Sequence, residues 1–379
     1  MDQLIQYVLE LPLELPLKIL SNFTEEELSS ICCLNRDILN ICFNIYPVRT
    51  KKWSNIDFII FKIKLINRLP IDQSIGLKDE LNKELIHNID FMNLVRIIAN
   101  NATIKLTDNS KPGVDQIINT KYIMFTGNFN RPIDLRCFVN LKHLIFNDDF
   151  NSNLLLPIPI YNCWYRQPWI GNLQRLSFGN KFNQLLDLTS LTKLKSLSFG
   201  NSFNQKITKN IYTTDGAKIV SLLPDNLTDI TFGNNFNQQV DNLPINLIEL
   251  FTGNMFNQSV DKLPKNLEVL HLNTTWSGKF NQSIDNLPIT LNELCIYGDF
   301  NQKIDKLPNG LNILILNETR FNKSICSLPV ELDKLKLGIL FKQLINKLPP
   351  NICIIIPGQY RYINKLKKKV PMTAKLVLY

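Results

Sequence analysis

The chain has 379 residues, of which 45% are hydrophobic, 9% aromatic and 20% charged, enough apolar mass for one large packed unit or several small ones. The net charge of +9 is dilute, and much of the excess sits late, in "KLKKK" from Lys365 to Lys369. Lys and Arg interleaved with stacking aromatics are missing, which argues against a nucleic-acid partner.

The eight cysteines form no C-x-x-C pair, and His87, His143 and His271 complete no paired zinc-ligand spacing with them. Zinc ligation by closely spaced donors is therefore not expected, nor is any other metal or cofactor. The cysteines read as reduced and mostly buried, which suits a cytoplasmic protein. No apolar run approaches the roughly 18 residues a membrane helix needs. The first sixteen residues lack the basic start of a secretory leader. No membrane contact is expected.

The first predicted element is a helical segment, "LPLELPLKILSNFTEEELSSICCLNRDILNICFN", Leu11 to Asn44. Thr24 with Glu27 three residues later forms a capping box that opens a helix. Leu28, Ile31, Leu34, Ile38 and Ile41 keep helical spacing behind it. The segment resembles the F-box, a three-helix module that docks the Skp-type adaptor of cullin-based (SCF) ubiquitin ligases. The opening Leu-Pro-x-Glu-Leu of that family falls on Leu11, Pro12, Glu14 and Leu15, and its later Ile-Leu on Ile19 and Leu20. A second-helix Leu matches Leu28, the third-helix region matches Leu34 and Arg36, and the closing Trp is Trp53; Phe23 replaces a commoner Leu. The resemblance implies that Leu11, Pro12, Leu15, Ile19, Leu20, Phe23, Leu28, Leu34 and Trp53 form the adaptor-binding surface. The plain alternative is a helical lid for the domain that follows.

Residues 54–119 contain "LKDELNKELIHNIDFMNLVRIIAN", with Leu81, Leu85, Ile89, Met92 and Ile97 along one helical face. They are read as a helical linker and N-terminal cap.

From residue 120 the chain repeats itself. The stretch "GNNFNQQVDNLPINL" at Gly233 to Leu247 returns as "GNMFNQSVDKLPKNL" at Gly253 to Leu267. The repeated Phe falls at Phe129, Phe150, Phe182, Phe203, Phe236, Phe256, Phe280, Phe300, Phe321 and Phe341, with spacings of 21, 32, 21, 33, 20, 24, 20, 21 and 20. A unit of about 20 residues with a few insertions is the length of a leucine-rich solenoid turn. Within each unit, L-x-x-L-x-[FLI] alternates into a short strand, for example Leu227, Ile230 and Phe232. A glycine such as Gly233 is read as permitting a sharp turn, and a Leu-Pro pair closes the unit. Six apolar side chains bury too little to order some 20 residues alone, so units must stack. The Asn after each Phe is read first as structural, bonding the backbone of the adjacent turn.

This pattern resembles the FNIP repeat family, a leucine-rich-repeat-like group. Its core stands here as "FNRPI" at Phe129, "FNQSI" at Phe280, "FNQKI" at Phe300 and "FNKSI" at Phe321, with departures at Phe150 and Phe182. The resemblance extends to proteins of amoebae and of large DNA viruses infecting them, and implies a subunit that could redirect host ubiquitination.

The expected fold is α+β: a small N-terminal helical F-box at 8–53, a helical linker and cap at 54–119, a leucine-rich-repeat-like parallel β solenoid at 120–355, and a basic cap or tail at 356–379. The expected partners are the Skp-type adaptor with its cullin complex, and a protein target. Counting along each strand places His143, Ile145, Arg175, Phe251, Val269, His271, Glu293, Tyr297, Ile313, Ile315, Lys334 and Lys336 on one inner surface as target-binding candidates. A rival site is the insertion Ser152 to Asn172, with Tyr161, Trp164, Tyr165 and Trp169, the aromatic content that interface centres favour. Lys206 to Val220 is the second insertion. No G-x-S-x-G, H-E-x-x-H, phosphate loop or dinucleotide fingerprint occurs, so no catalytic role is expected.

Overall fold

The computed structural model describes residues 102–105, 120–130, 132, 138, 140–154, 172–213, 216–368 and 370–378. The F-box-like segment 8–53 and the helical face from Leu77 to Asn100 lie outside the described residues. The chain divides into two compact units, one of residues 1–127, 132–144 and 153–173, the other of residues 128–131, 145–152 and 174–379.

In the first unit, β1 (Ala102–Lys105) pairs antiparallel with β2 (Tyr122–Phe125), Ala102 opposite Phe125. Against the helical reading of the linker 54–119, this part of it is a strand. In that register Ile104 falls opposite the buried Ile123. Strand β3 (His143–Ile145) begins in the same unit, and the amides of Lys142 and His143 both reach the carbonyl of Lys121.

The second unit is a parallel β solenoid. Its strands are β4 (Arg175–Ser177), β5 (Ser196–Ser198), β8 (Asp229–Thr231), β9 (Glu249–Phe251), β10 (Val269–Leu272), β11 (Glu293–Ile296), β12 (Ile313–Leu316), β13 (Lys334–Leu337), β14 (Cys353–Ile356) and β15 (Lys375–Leu378). Each pairs in parallel with the next. Between β5 and β8 the second insertion forms an antiparallel hairpin, β6 (Thr208–Thr213) and β7 (Gly216–Ser221). Among the described residues the single helix is α1 (Ile363–Lys367).

The register stacks like on like. Leu176, Leu197, Ile230, Leu250, Leu270, Leu294, Leu314, Leu335 and Ile354 occupy one row, all at 1% exposure or less. Behind them the repeated phenylalanines form a column from Phe129 to Phe341, ring over ring at 5.9–6.2 Å. Offset stacking at this spacing adds to simple burial. A second column, Phe146, Phe178, Phe199 and Phe232, packs beside it, each ring within 4.0 Å of its partner in the first.

The polar half of the repeat is equally regular. The Oδ1 of each repeat Asn accepts the backbone N–H one turn later, Asn130 from Asn151 and so on to Asn301 from Asn322 and Asn322 from Lys342, at 2.8–3.0 Å. The structural reading of the asparagines is the one observed. The following Gln adds a second clasp: Gln258 Nε2 donates to both oxygens of Asn237. In the Leu-Pro closures from Pro224 to Pro329 the Pro carbonyl accepts the N–H of the Leu three residues on, as Pro244 does from Leu247.

Two expectations change. Gly179, Gly200, Gly233 and Gly253 each open a turn, their carbonyls accepting the N–H of the Phe three residues on, but their backbone is outside the left-handed region, which their equivalent Gly298 does enter. Glycine stands at these four because a Cβ would overlap the backbone of the preceding turn, at Gly233 the carbonyl of Gly200. The expected tail 356–379 also carries one more lap. Tyr360 stacks on Phe341 at 5.9 Å and β15 joins the parallel sheet. A Tyr in the ring position, without the Asn behind it, hid that lap from the repeat pattern.

Candidate interaction surface

Alternation decides which side chains leave the core. With the middle residue of each strand buried, its two neighbours stand on the opposite side. In the second unit this makes two rows. One is Arg175, Ser196, Asp229, Glu249, Val269, Glu293, Ile313, Lys334, Cys353 and Lys375; the other is Ser177, Ser198, Thr231, Phe251, His271, Cys295, Ile315, Lys336, Ile355 and Val377. Beyond Arg175 the rows grade in character from neutral serines, through the acids Asp229, Glu249 and Glu293, to the bases Lys334 and Lys336. Val269, Phe251, Ile313 and Ile315 lie along the middle, all half-buried.

The sequence candidates Arg175, Phe251, His271 and Tyr297 all belong to this second unit. Arg175 is exposed and the other three are half-buried. Phe251 and His271 are cross-strand neighbours whose rings meet edge to face, centroids 4.7 Å apart. His143 belongs to the first unit, half-buried and 6.2 Å from the ring of Tyr122. Trp164, Trp169 and the adaptor-binding candidates Leu11, Pro12, Leu15, Ile19, Leu20, Phe23, Leu28, Leu34 and Trp53 lie outside the described residues.

At the centre of the rows His271, Glu293 and Cys295 converge. His271 Nε2 lies 2.8 Å from Glu293 Oε1, and Cys295 Sγ donates to the same oxygen at 3.4 Å. Burial, then the adjacent Glu293 charge, pushes the thiol up to about 12, the reverse of an activated nucleophile. The phenol of Tyr297 is pushed up by burial and then by the negative groups around it.

Sequence reasoning passed over two features. Trp276 is 76% exposed on the four-residue expansion that separates Phe256 from Phe280; a Trp inside an irregular spacing was the available signal. The juxtaposition of His271 with Cys295 escaped because the two were judged by distance along the chain. In a solenoid, residues one lap apart are lateral neighbours. On the hairpin, Tyr212 is 84% and Ile219 52% exposed. The groove at its foot is lined by polar side chains and lysines, where Lys209 is bound to Asp187 at 2.6 Å. No helix among the described residues is long and apolar enough to cross a membrane.

A family model described as FNIP Repeat matches residues 219–255. Among solved structures the chain is similar to CroV588, described as a novel circular LRR protein, at 29% identity and a TM-score of 0.52. That alignment covers 66% of this chain and 39% of CroV588, so the chain spans well under half of that protein's length. YopM from Yersinia enterocolitica aligns at 17% identity with a TM-score of 0.35, over 62% of this chain and 58% of YopM. The internalin InlF from Listeria monocytogenes aligns at 12% with a TM-score of 0.36, over 77% of this chain and 91% of InlF. No curated protein sequence matches. The fold is that of a leucine-rich-repeat-like parallel solenoid carrying FNIP-type repeats.

Proposed function

We propose that this protein is a target-recognition subunit of a cullin-type ubiquitin ligase: the solenoid binds a protein target and residues 8–53 dock a Skp-type adaptor. The observation that carries target binding is the outward face of the parallel sheet. It sets aromatic and aliphatic side chains between acids and lysines on a backbone that needs no reordering to bind. A pre-organised surface loses little entropy on association, and mixed charge around an apolar centre gives both orientation and on-rate. The adaptor half rests on the Leu11 to Trp53 pattern alone. The protein would act by position, raising the effective concentration of its target beside ligase subunits that do the chemistry.

A second reading, a protein-binding scaffold with no ligase link, draws on the solenoid face, which makes no demand on residues 8–53. Co-expression with a Skp-type adaptor separates the two. Wild type should retain the adaptor through affinity purification, and Leu11→Asp or Ile19→Asp should release it. No retention by folded wild type would leave the scaffold reading. Proximity labelling should then find targets that Lys334→Glu/Lys336→Glu loses and Leu11→Asp keeps.

A further inference from the structure

His271 and Cys295 occupy directly opposed positions on β10 and β11, and Glu293 precedes Cys295 by two residues on the same side of β11. The three donor atoms lie within 4.8 Å of one another. We propose that His271 Nε2, the Glu293 carboxylate and Cys295 Sγ bind a divalent transition-metal ion, zinc by their chemistry, with a fourth position open to water. Thiolate, imidazole and carboxylate together suit Zn²⁺, whereas Ca²⁺ and Mg²⁺ demand oxygen donors. Tetrahedral bonds of about 2.0–2.3 Å place donor atoms roughly 3.3–3.6 Å apart. The trio reaches that geometry when the His271–Glu293 contact opens by about half an ångström and the thiol turns toward the imidazole.

The site is built on strands, whose register fixes the Cα positions. Cys295 differs from its row. Ser198, Phe251, His271, Ile315 and Lys336 at the equivalent position are all half-buried, whereas Cys295 is 2% exposed. His271 and Glu293 remain about 30% exposed, leaving an entry path. In the metal-free protein the S–H bond is directed at Glu293. On binding, that S–H bond breaks, its proton leaves to solvent and an S–Zn bond forms; the Nε2–H that faces Glu293 is given up as the N–Zn bond forms, the neutral imidazole then carrying its proton on Nδ1, with no change of oxidation state. Thiolate and carboxylate then balance the dication. Lys334, two strands away, acts on the thiol in the opposite sense to burial and Glu293, favouring the thiolate that binding requires. The ordinary alternative is a hydrogen-bonded polar cluster that binds nothing.

The test uses the full-length protein, freed of metal with a chelator and titrated with Co²⁺ and then Zn²⁺. One equivalent of Co²⁺ should give a thiolate-to-metal charge-transfer band in the near ultraviolet, bleached by one equivalent of Zn²⁺. Cys295→Ser should abolish the band and His271→Gln should weaken binding at least tenfold, while Cys326→Ser and Cys353→Ser change neither. No band, or a band that survives Cys295→Ser, overturns the proposal. Should Cys295→Ser fail to fold by circular dichroism, X-ray absorption of the zinc-loaded wild type decides. One sulfur with nitrogen and oxygen neighbours supports the site; no sulfur, or two or more, refutes it. Because no adaptor or target takes part, a negative result here leaves the ligase reading untouched.

Discussion

Asn237 Oδ1 accepts the backbone N–H of Asn257 at 2.9 Å and a side-chain N–H of Gln258 at 3.0 Å. One side chain thereby satisfies groups on the next lap that lie too deep for full hydration, and repetition of the same bond along the column locks the register of the turns. Asn237→Ala should cost about 1–3 kcal/mol, because it strands a half-buried donor rather than removing a matched pair. Asn237→Asp keeps the acceptor and should recover most of the loss. Urea unfolding midpoints measure both; an Ala variant as stable as wild type would mean that water substitutes freely for the ladder.

The aromatic column makes a second, larger prediction. Phe256 is fully buried, between Phe236 at 6.2 Å and Phe280 at 6.1 Å. Phe256→Ala removes a ring and two stacking contacts at once and should cost about 3–5 kcal/mol. Phe256→Leu retains most of the volume and should cost under half of that. Calorimetry of the two variants checks the order. Comparable losses would show that ring geometry, and not filled volume, dominates the column.

Gly233 and Gly310 separate two reasons for glycine. A Cβ on Gly233 would overlap the carbonyl of Gly200, whereas on Gly310 it meets only the carbonyl of Ile289 at 3.7 Å, an ordinary contact. Gly233→Ala should push adjacent laps apart and cost about 1–3 kcal/mol or more. Gly310→Ala should be neutral or stabilising by about 0.4–1 kcal/mol, through reduced freedom of the unfolded chain. Equal effects in thermal unfolding would contradict the close-approach account.

The repeats were legible because burial demands the same residue types at the same step of every lap. The Phe column and the Leu row could be read as a period, and the Asn column as its polar complement. Alternation placed Phe251, His271, Glu293 and Lys334 on the outward side for the same reason. What the period could not show was anything set by proximity across laps. Gly233 does open a turn, but what demands glycine there is the carbonyl of Gly200 beneath it. His271 and Cys295 look unrelated until the register sets them opposite each other. Tyr360 breaks the Phe-Asn signature, yet its ring still stacks, so the solenoid continued where the pattern stopped. The strand Ala102–Lys105 paired antiparallel with β2 against a helical reading, because four residues offer too short a window for periodicity to separate helix from strand.

Tyr360 also supplies a pH-dependent test of that last lap. Its ring is 4% exposed on Phe341 and its hydroxyl donates to the carbonyl of Gln343. Burial, the leading cause, holds the phenol above its ordinary value; a bond from the Ile345 backbone pulls the other way and Tyr362 adds to the rise. The folded state therefore keeps its proton at a pH where the unfolded chain, with a phenol near 10, has begun to lose it. Stability tied to this group is intact below about pH 10 and declines as pH climbs from there through the folded-state value. Tyr360→Phe should be modestly destabilised at pH 7, by about 0.5–1.5 kcal/mol for the lost hydrogen bond. The gap to wild type should shrink as the pH is raised past 10, since only wild type has this phenol to ionise. Guanidinium unfolding at pH 7, 9, 10 and 11 gives the difference directly. A gap that stays constant or widens with pH would show that the Tyr360 hydroxyl already reaches water.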